Sequence, residues 1–281
     1  MLFENKVYII IPVFNRINDT LECIQSIFKM DYINKNIIII DDGSNDNTEE
    51  QLKKLYPEIQ IIKSNGNLWW AKSVNIGITY AIDKKADYLM LLNNDCIVEK
   101  KLLTNLILYS ENNPSSILAP CIYNYQKPEE IIFSGKKEYW ITQPFKKTSE
   151  KYNLDPRFIK TDIIYGKGTL IKVELLRKIG LFNANLFPHY HSDIDFSLRA
   201  KRKKIPLLIA TDCKVWTKVE SKIHFYCFNT FFSRKSSINL HDTYKLYKKY
   251  CPYHPFIVFY ILFYISKIVK FILMSLRYVE K

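Results

Sequence analysis

Short apolar runs that stop on polar residues recur through the first hundred positions of the chain. Residues 6–11 form a β-branched run closed by Pro12, residues 36–40 carry four consecutive isoleucines, 59–63 make a shorter run, and 88–92 read Tyr-Leu-Met-Leu-Leu before Asn93, Asn94 and Asp95. Runs this apolar on both faces belong in the interior of a parallel sheet. Between them, Leu21, Ile24, Ile27 and Phe28 recur at helical spacing behind Asp19 and Thr20, and residues 49–55, 71–81 and 99–108 follow polar turns in the same way. The alternation predicts an α/β fold, a doubly wound and mostly parallel sheet with flanking helices and right-handed crossovers. Further on, 115–120, 130–134, 163–172 and 205–210 are expected as strands, 173–179 as a helix stopped by Gly180, and 189–204 as a helix with a basic end. Residues 138–155 read as a polar, lysine-containing loop.

In such a sheet the polar ends of consecutive strands line one crevice, where open α/β sheets bind ligands. Here those ends are Phe14-Asn15, Asp41-Asp42, residues 65–70, and Asn93-Asn94-Asp95. No Gly-x-Gly-x-x-Gly opens the first helix, so this is not a dinucleotide phosphate loop. The paired carboxylates and aromatics suit a nucleotide held by base stacking and hydrogen bonds. Asp95, with Asn93 or Asn94 beside it, offers oxygen ligands to a divalent cation that would neutralise a diphosphate. The same Asn-Asn-Asp also serves as an ordinary cap for the helix that follows.

The formal charge of +13 over 281 residues implies an anionic partner, but no RNA-binding or zinc-finger pattern accompanies it, so nucleic acid is not the expected one. Six cysteines without any Cys-x-x-Cys pair fit a reducing compartment, and the N-terminal apolar run, interrupted by Pro12, does not read as a signal peptide. Both point to the cytoplasm.

Taken together, Ile10-Ile11-Pro12-Val13-Phe14-Asn15, Ile40-Asp41-Asp42-Gly43-Ser44-x-Asp46-x-Thr48, Leu91-Leu92-Asn93-Asn94-Asp95, Gly166-x-Gly168, Ile179-Gly180-Leu181-Phe182 and Asp193-Ile194-Asp195-Phe196-x-Leu198-Arg199 resemble, in order and spacing, a family 2 glycosyltransferase of the GT-A fold. Asn67-Leu68-Trp69-Trp70 further resembles a bacterial surface-polysaccharide subgroup, rhamnosyltransferase-like. The resemblance implies an inverting glycosyltransferase using dTDP-rhamnose or a UDP-hexose, with a lipid-linked or growing cell-surface glycan as acceptor. It places Pro12, Phe14, Asn15, Asp41, Asp42, Asn67 and Asn94 at the donor, Phe14 on the nucleobase, and Asp95 on Mg or Mn. Trp69, Trp70 and Gly168 fall to the acceptor side, one tryptophan forming a wall for a sugar ring. Asp193 falls at the general base, which takes the acceptor hydroxyl's proton; Asp195, two residues on, is expected to pair with Arg199 at i+4. Two positions depart from the family pattern. Ser192 replaces the acid before the base, and Thr217 stands where a metal-site histidine is usual, with His189, His191 and His224 as the nearest substitutes. A non-catalytic nucleotide-sugar or glycan-binding protein on the same fold is the alternative these departures leave open.

Beyond residue 215 the chain turns aromatic and basic, so 1–215 is read as the catalytic domain and 216–281 as a helical appendage. Residues 256–276 are nearly long enough to span a bilayer. Lys267, Lys270 and Arg277 instead form a basic stripe opposite an apolar face, the pattern of a helix lying in an interface. With Tyr244, Tyr247 and Tyr250 interleaved among Lys245, Lys248 and Lys249, the expectation is peripheral attachment to an anionic membrane surface on the cytoplasmic face. The sequence carries no signal for oligomeric state.

Overall fold

A computed structural model describes residues 4–141, 143–147, 157–218, 231–233 and 236–279, the last ten by their helical backbone. The first half follows the expected alternation: β1 (Val7–Val13), α1 (Ile17–Phe28), β2 (Lys35–Asp41), α2 (Thr48–Leu55), β3 (Gln60–Lys63), α3 (Trp69–Asp83) and β4 (Tyr88–Leu91). Then come β5 (Cys96–Val98), α4 (Leu102–Asn112), β6 (Ile117–Asn124), β7 (Ile131–Phe133), β8 (Lys136–Glu138), β9 (Phe145–Lys147), β10 (Phe158–Thr161), β11 (Thr169–Lys172), α5 (Val173–Ile179), α6 (Ser192–Arg202), β12 (Leu207–Thr217), α7 (Leu240–Tyr250) and α8 (Phe256–Val279).

The main sheet runs β10-β12-β6-β11-β4-β1-β2-β3, with β5 beside β12 and β7 beside β6. β1 lies parallel to β2 and to β4, in a register that sets Ile9 beside Ile37 and Ile10 beside Leu91. β11 is antiparallel to both β4 and β6, and β10 is antiparallel to β12. The architecture is therefore mixed α/β, with one reversed strand in the middle and another at the edge.

Side chains alternate across a strand, so the isoleucines divide between two cores. Ile9, Ile11, Ile37 and Ile39 pack with Cys23, Ile24 and Ile27 of α1 and Leu102, Leu103 and Leu106 of α4. Ile10, Ile38 and Ile40 pack with Val74 and Ile78 of α3, Leu176 of α5 and Phe196 of α6. Each such isoleucine, fully out of water, contributes roughly 1.5–3 kcal/mol.

Several expectations are corrected. Of residues 163–172 only Thr169–Lys172 is strand, because the chain turns through Gly166-Lys167-Gly168 and Gly168 N–H donates to the Leu91 carbonyl at 2.7 Å. Part of the supposed loop 138–155 is a small hairpin of β8 and β9, while residues 148–156 lie outside the described residues. The last strand continues past 210 and past 215, pairing through Thr217 with β5 and β6.

The C-terminal helices pack on the domain. Leu246, Tyr247 and Tyr250 of α7 and Phe263 and Tyr264 of α8 form a third core with Trp140, Ile163, Phe187 and Leu198. Tyr247 and Tyr250 are therefore not interfacial anchors, and Lys249 pairs with Asp195 at 2.6 Å. Among the described residues no helix is long and apolar enough to cross a membrane. His224, and the side chains of Lys270 and Arg277, lie outside the described residues.

Candidate functional site

The C-terminal ends of β1, β2 and β4 and the loop after β3 meet at one edge of the sheet. Pro12 is half-buried at the end of β1, and Phe14 beyond it is 58% exposed, its ring free to stack on a planar ligand. Asn15 has a left-handed backbone and ties the first loop to the second. Its N–H donates to Ser44 Oγ at 2.7 Å, and its Oδ1 accepts from Asn45 N–H at 3.0 Å.

The two aspartates of the second loop differ in their surroundings. Asp42 accepts from the Leu68 and Trp69 backbone N–H groups, at 2.9 and 3.0 Å, and from Ser64 Oγ at 2.8 Å. It thereby caps the start of α3 from across the crevice, stabilising free N–H groups at the helix's positive end. Asp41 is wholly buried; Oδ1 accepts from Ser44 N–H at 2.9 Å, and Oδ2 is buried without a hydrogen-bond partner. An unpaired buried carboxylate oxygen is costly, and a ligand N–H or hydroxyl would relieve it. Asn67 is exposed on the loop held by Asp42, with φ 66°.

The adjacent tryptophans diverge. Trp70 points inward, its Nε1 donating to Asn93 Oδ1 at 2.9 Å, while Trp69 turns out against the His189 ring, 5.7 Å between centroids. Gly166 makes the inward position possible, since a Cβ there would collide with the Trp70 ring. Gly166→Ala should displace that ring and cost about 1–3 kcal/mol of stability. Thermal melting checks this, and a variant as stable as wild type would show that the ring relaxes freely.

Trp70, Asn93, Gly166, Lys167 and Asp193 line a cavity of about 420 Å³, whose other wall is formed by Leu246 of α7 and Phe263 and Lys267 of α8. Asp193 sits in the first turn of α6, half-buried, with its carboxylate toward Gly166. Burial pushes its pKa up to about 7, against the opposing effects of the Gly166 N–H and the Lys167 charge. A carboxyl poised there accepts a proton readily near neutrality. Asp195 faces away into the protein, bonded to Arg199 Nε at 2.8 Å as its spacing predicts. Gly168 does not line the cavity; its left-handed backbone packs where a Cβ would press on Pro120 and Val215.

Asp95 lies beside the cavity, and its surroundings were not legible in advance. Lys167 Nζ stands 3.4 and 3.3 Å from its two oxygens and donates to Thr217 Oγ1 at 2.5 Å, and that hydroxyl donates to Asp95 Oδ2 at 3.3 Å. Burial disfavours the Lys167 ammonium, yet Cys96 and Asp95 hold its pKa above the ordinary lysine value. His189 and His191 line the cavity with Lys167; the His189 ring packs at an angle against Trp69 and Tyr190, and His191 sits 3.4 Å from Thr243 Oγ1, its pKa lowered by burial to about 4 and hence neutral. Asn94 faces α1, its Nδ2 donating to Thr20 Oγ1 at 3.0 Å. Among the described residues no three His, Cys, Asp or Glu side chains gather into a metal cluster. The oxygens of Asp95 and Thr217 suit a hard cation, and the ammonium between them shows that the place favours positive charge. They fit a cation whose remaining ligands come from substrate phosphates and water.

Comparison with known proteins matches the description "Glycosyl transferase family 2" over residues 8–180, more than half of the chain. Glycosyltransferase GlyG of Streptococcus pneumoniae is 24% identical over 190 residues, 64% of this chain and 60% of that protein. An uncharacterized glycosyltransferase of Rickettsia felis is 29% identical over 225 residues but is matched over only 31% of its length. The dTDP-rhamnosyl transferase RfbF of Shigella flexneri is 21% identical, covering 75% of this chain and 69% of that one. Among solved structures, GalNAc-T7 with UDP, GalNAc and Mn2+ aligns at TM-score 0.65, with 16% identity over 76% of this chain and 44% of that one. The Pyrobaculum calidifontis mannosyltransferase PcManGT with GDP-Man and Mn2+ aligns at 0.61, with 14% identity over 92% of this chain and 68% of that one. At such identities the structural likeness is one of fold.

Proposed function

We propose a donor class, an acceptor class and a base for a chain that belongs to glycosyl transferase family 2. It is a glycosyltransferase, and its sheet edge carries the groups a nucleotide-sugar donor needs. In this reading the nucleobase stacks on Phe14 and satisfies Asp41 Oδ2, and the diphosphate lies toward Asp95, where Mg or Mn is shared with the substrate. Asp193 removes the acceptor hydroxyl's proton as the oxygen attacks the anomeric carbon opposite the leaving nucleotide, which inverts the configuration. The observation that carries the reading is Asp193 itself, a carboxyl raised to about 7 on the wall of the cavity beside Trp70. A panel of dTDP-rhamnose and UDP-hexoses, read by release of the nucleoside diphosphate, tests it. No release from any donor, with or without a glycan acceptor, would remove it.

The acceptor we propose is a lipid-linked or growing surface glycan at the cytoplasmic face of the membrane. α8 supports this: Phe263 and Lys267 line the cavity, while Ile261, Ile265 and Ile268 on the other side stand 46–50% exposed in an aliphatic stripe. A helix exposing such a stripe on a basic protein suits the headgroup boundary. Full-length protein with Ile261, Ile265 and Ile268 all changed to Ser should keep its melting temperature and bind anionic phospholipid vesicles about tenfold more weakly or worse. Unchanged vesicle binding would take α8 out of the contact.

A further inference from the structure

Lys167 holds the Asp95 carboxylate at the edge of the crevice, where the diphosphate is proposed to lie. Its ammonium faces both Asp95 oxygens, at 3.4 and 3.3 Å, and is fixed from the side by Thr217 Oγ1. Both partners are largely out of water, with side chains 23% and 16% exposed. The Asp95 backbone is pinned as well, its carbonyl accepting from Lys218 N–H at 3.0 Å. Asp95 is thus held through both its backbone and its carboxylate.

We propose that Lys167 is an internal counter-ion which closes Asp95 to a free divalent cation and becomes a ligand of the donor's diphosphate once the nucleotide enters. The inference rests on the nucleotide-sugar reading above. A divalent cation arriving alone meets a neutral ion pair in a poorly hydrated place. It must break that pair and leave an ammonium beside a second positive ion, a strong repulsion where the dielectric is low. A cation arriving with a nucleoside diphosphate brings the negative charge that both it and Lys167 require. The ammonium then exchanges one anion for another within its own reach along a flexible four-carbon stem. Charge balances only when cation and diphosphate enter together, so cation uptake is conditional on the nucleotide. Lys167 thus does part of what a histidine at 217 would otherwise do, as a phosphate-facing cation rather than as a metal ligand.

The test uses the full chain and measures free Mn2+ by its paramagnetic resonance signal, with and without UDP or dTDP. Wild type should leave Mn2+ free when alone and take it up when either nucleoside diphosphate is present. Lys167→Met should bind Mn2+ alone about tenfold or more tightly than wild type, and bind the nucleoside diphosphate about tenfold or more weakly, as loss of a charge-assisted phosphate contact implies. Lys167→Arg, which keeps the charge, should behave as wild type. Should Lys167→Met fail to fold, Lys167→Gln, which also removes the charge and leaves the Asp95 and Thr217 oxygens in place, should move Mn2+ binding in the same direction. Wild type that binds Mn2+ alone as tightly as Lys167→Met would overturn the inference while leaving the donor site intact, provided nucleoside diphosphates still bind. If neither nucleoside diphosphate binds any variant, the donor reading fails, and the inference fails with it.

Discussion

Asp193→Asn should lower turnover at pH 7 by about a hundredfold or more, the usual worth of a positioned general base. Nucleotide binding at the other end of the crevice should be unchanged. The substitution keeps the shape and the hydrogen bond with Gly166, so what is lost is the ability to take a proton. The pH dependence has a definite sign. With its pKa raised to about 7, Asp193 is an active base only when deprotonated, so wild-type turnover should fall as pH drops through 7. Its contribution to stability runs the opposite way. Between the unfolded carboxyl's ordinary value and about 7 the folded protein binds a proton that the unfolded chain does not, so the group costs stability as pH rises through that window. Asn carries no such cost, and the variant should melt no lower than wild type at pH 8. A variant that is inactive because it has unfolded would contradict this assignment.

Asp195→Ala should act on stability instead, lowering it by about 2–4 kcal/mol in denaturant unfolding. The wholly buried carboxylate receives Arg199 Nε at 2.8 Å and Lys249 Nζ and Tyr250 Oη at 2.6 Å each, and so joins α6 to α7. Removing it leaves two cations and a phenol without their partner, although Arg199 and Lys249 reach enough water to soften the loss. Burial alone would raise the carboxyl's pKa, but the Lys249, Tyr250 and Arg199 contacts together hold it below the usual value. A depressed value contributes stability that is present above the unfolded pKa and lost as pH falls through the folded one. The excess stability of wild type over Asp195→Ala should therefore shrink in acid. If Asp195→Ala were stable but inactive, the roles of the two aspartates would be exchanged.

Much of the first half could be read from the chain because its signals are local. Four apolar runs, each ended by a polar turn, are enough to place β1 to β4 and the crevice at their ends. The i+4 relation of Asp195 and Arg199 is equally local. What escaped depends on pairing between distant segments. β5 is three residues long, and β10 has no neighbour in sequence to announce it. The reversal of β11 follows from the turn at Gly166-Lys167-Gly168, which in sequence only looks like a strand with a break. The contacts of Asp42 with the loop at residues 64–69, from Ser64 Oγ and the Leu68 and Trp69 N–H groups, likewise form only when that loop folds onto it. Lys167 carried no signal beyond its flanking glycines, because its role arises only where the ends of β4 and β12 meet. On α7 the alternation of tyrosine and lysine imitates an interfacial helix. Tyr250 and Lys249 instead face Asp195, whose buried charge needs donors, and no periodicity reveals that demand.

The most direct measurement is nucleoside diphosphate release from the donor panel by wild type, Asp193→Asn and Asp195→Asn at pH 8, with the product's anomeric configuration read by proton resonance. The expected result is release by wild type from one donor class, an inverted anomeric centre, near-complete loss in Asp193→Asn with donor affinity retained, and substantial activity in folded Asp195→Asn. Unimpaired release by Asp193→Asn, or retention of the donor's configuration, would contradict the assignment of Asp193 as the base of an inverting transfer.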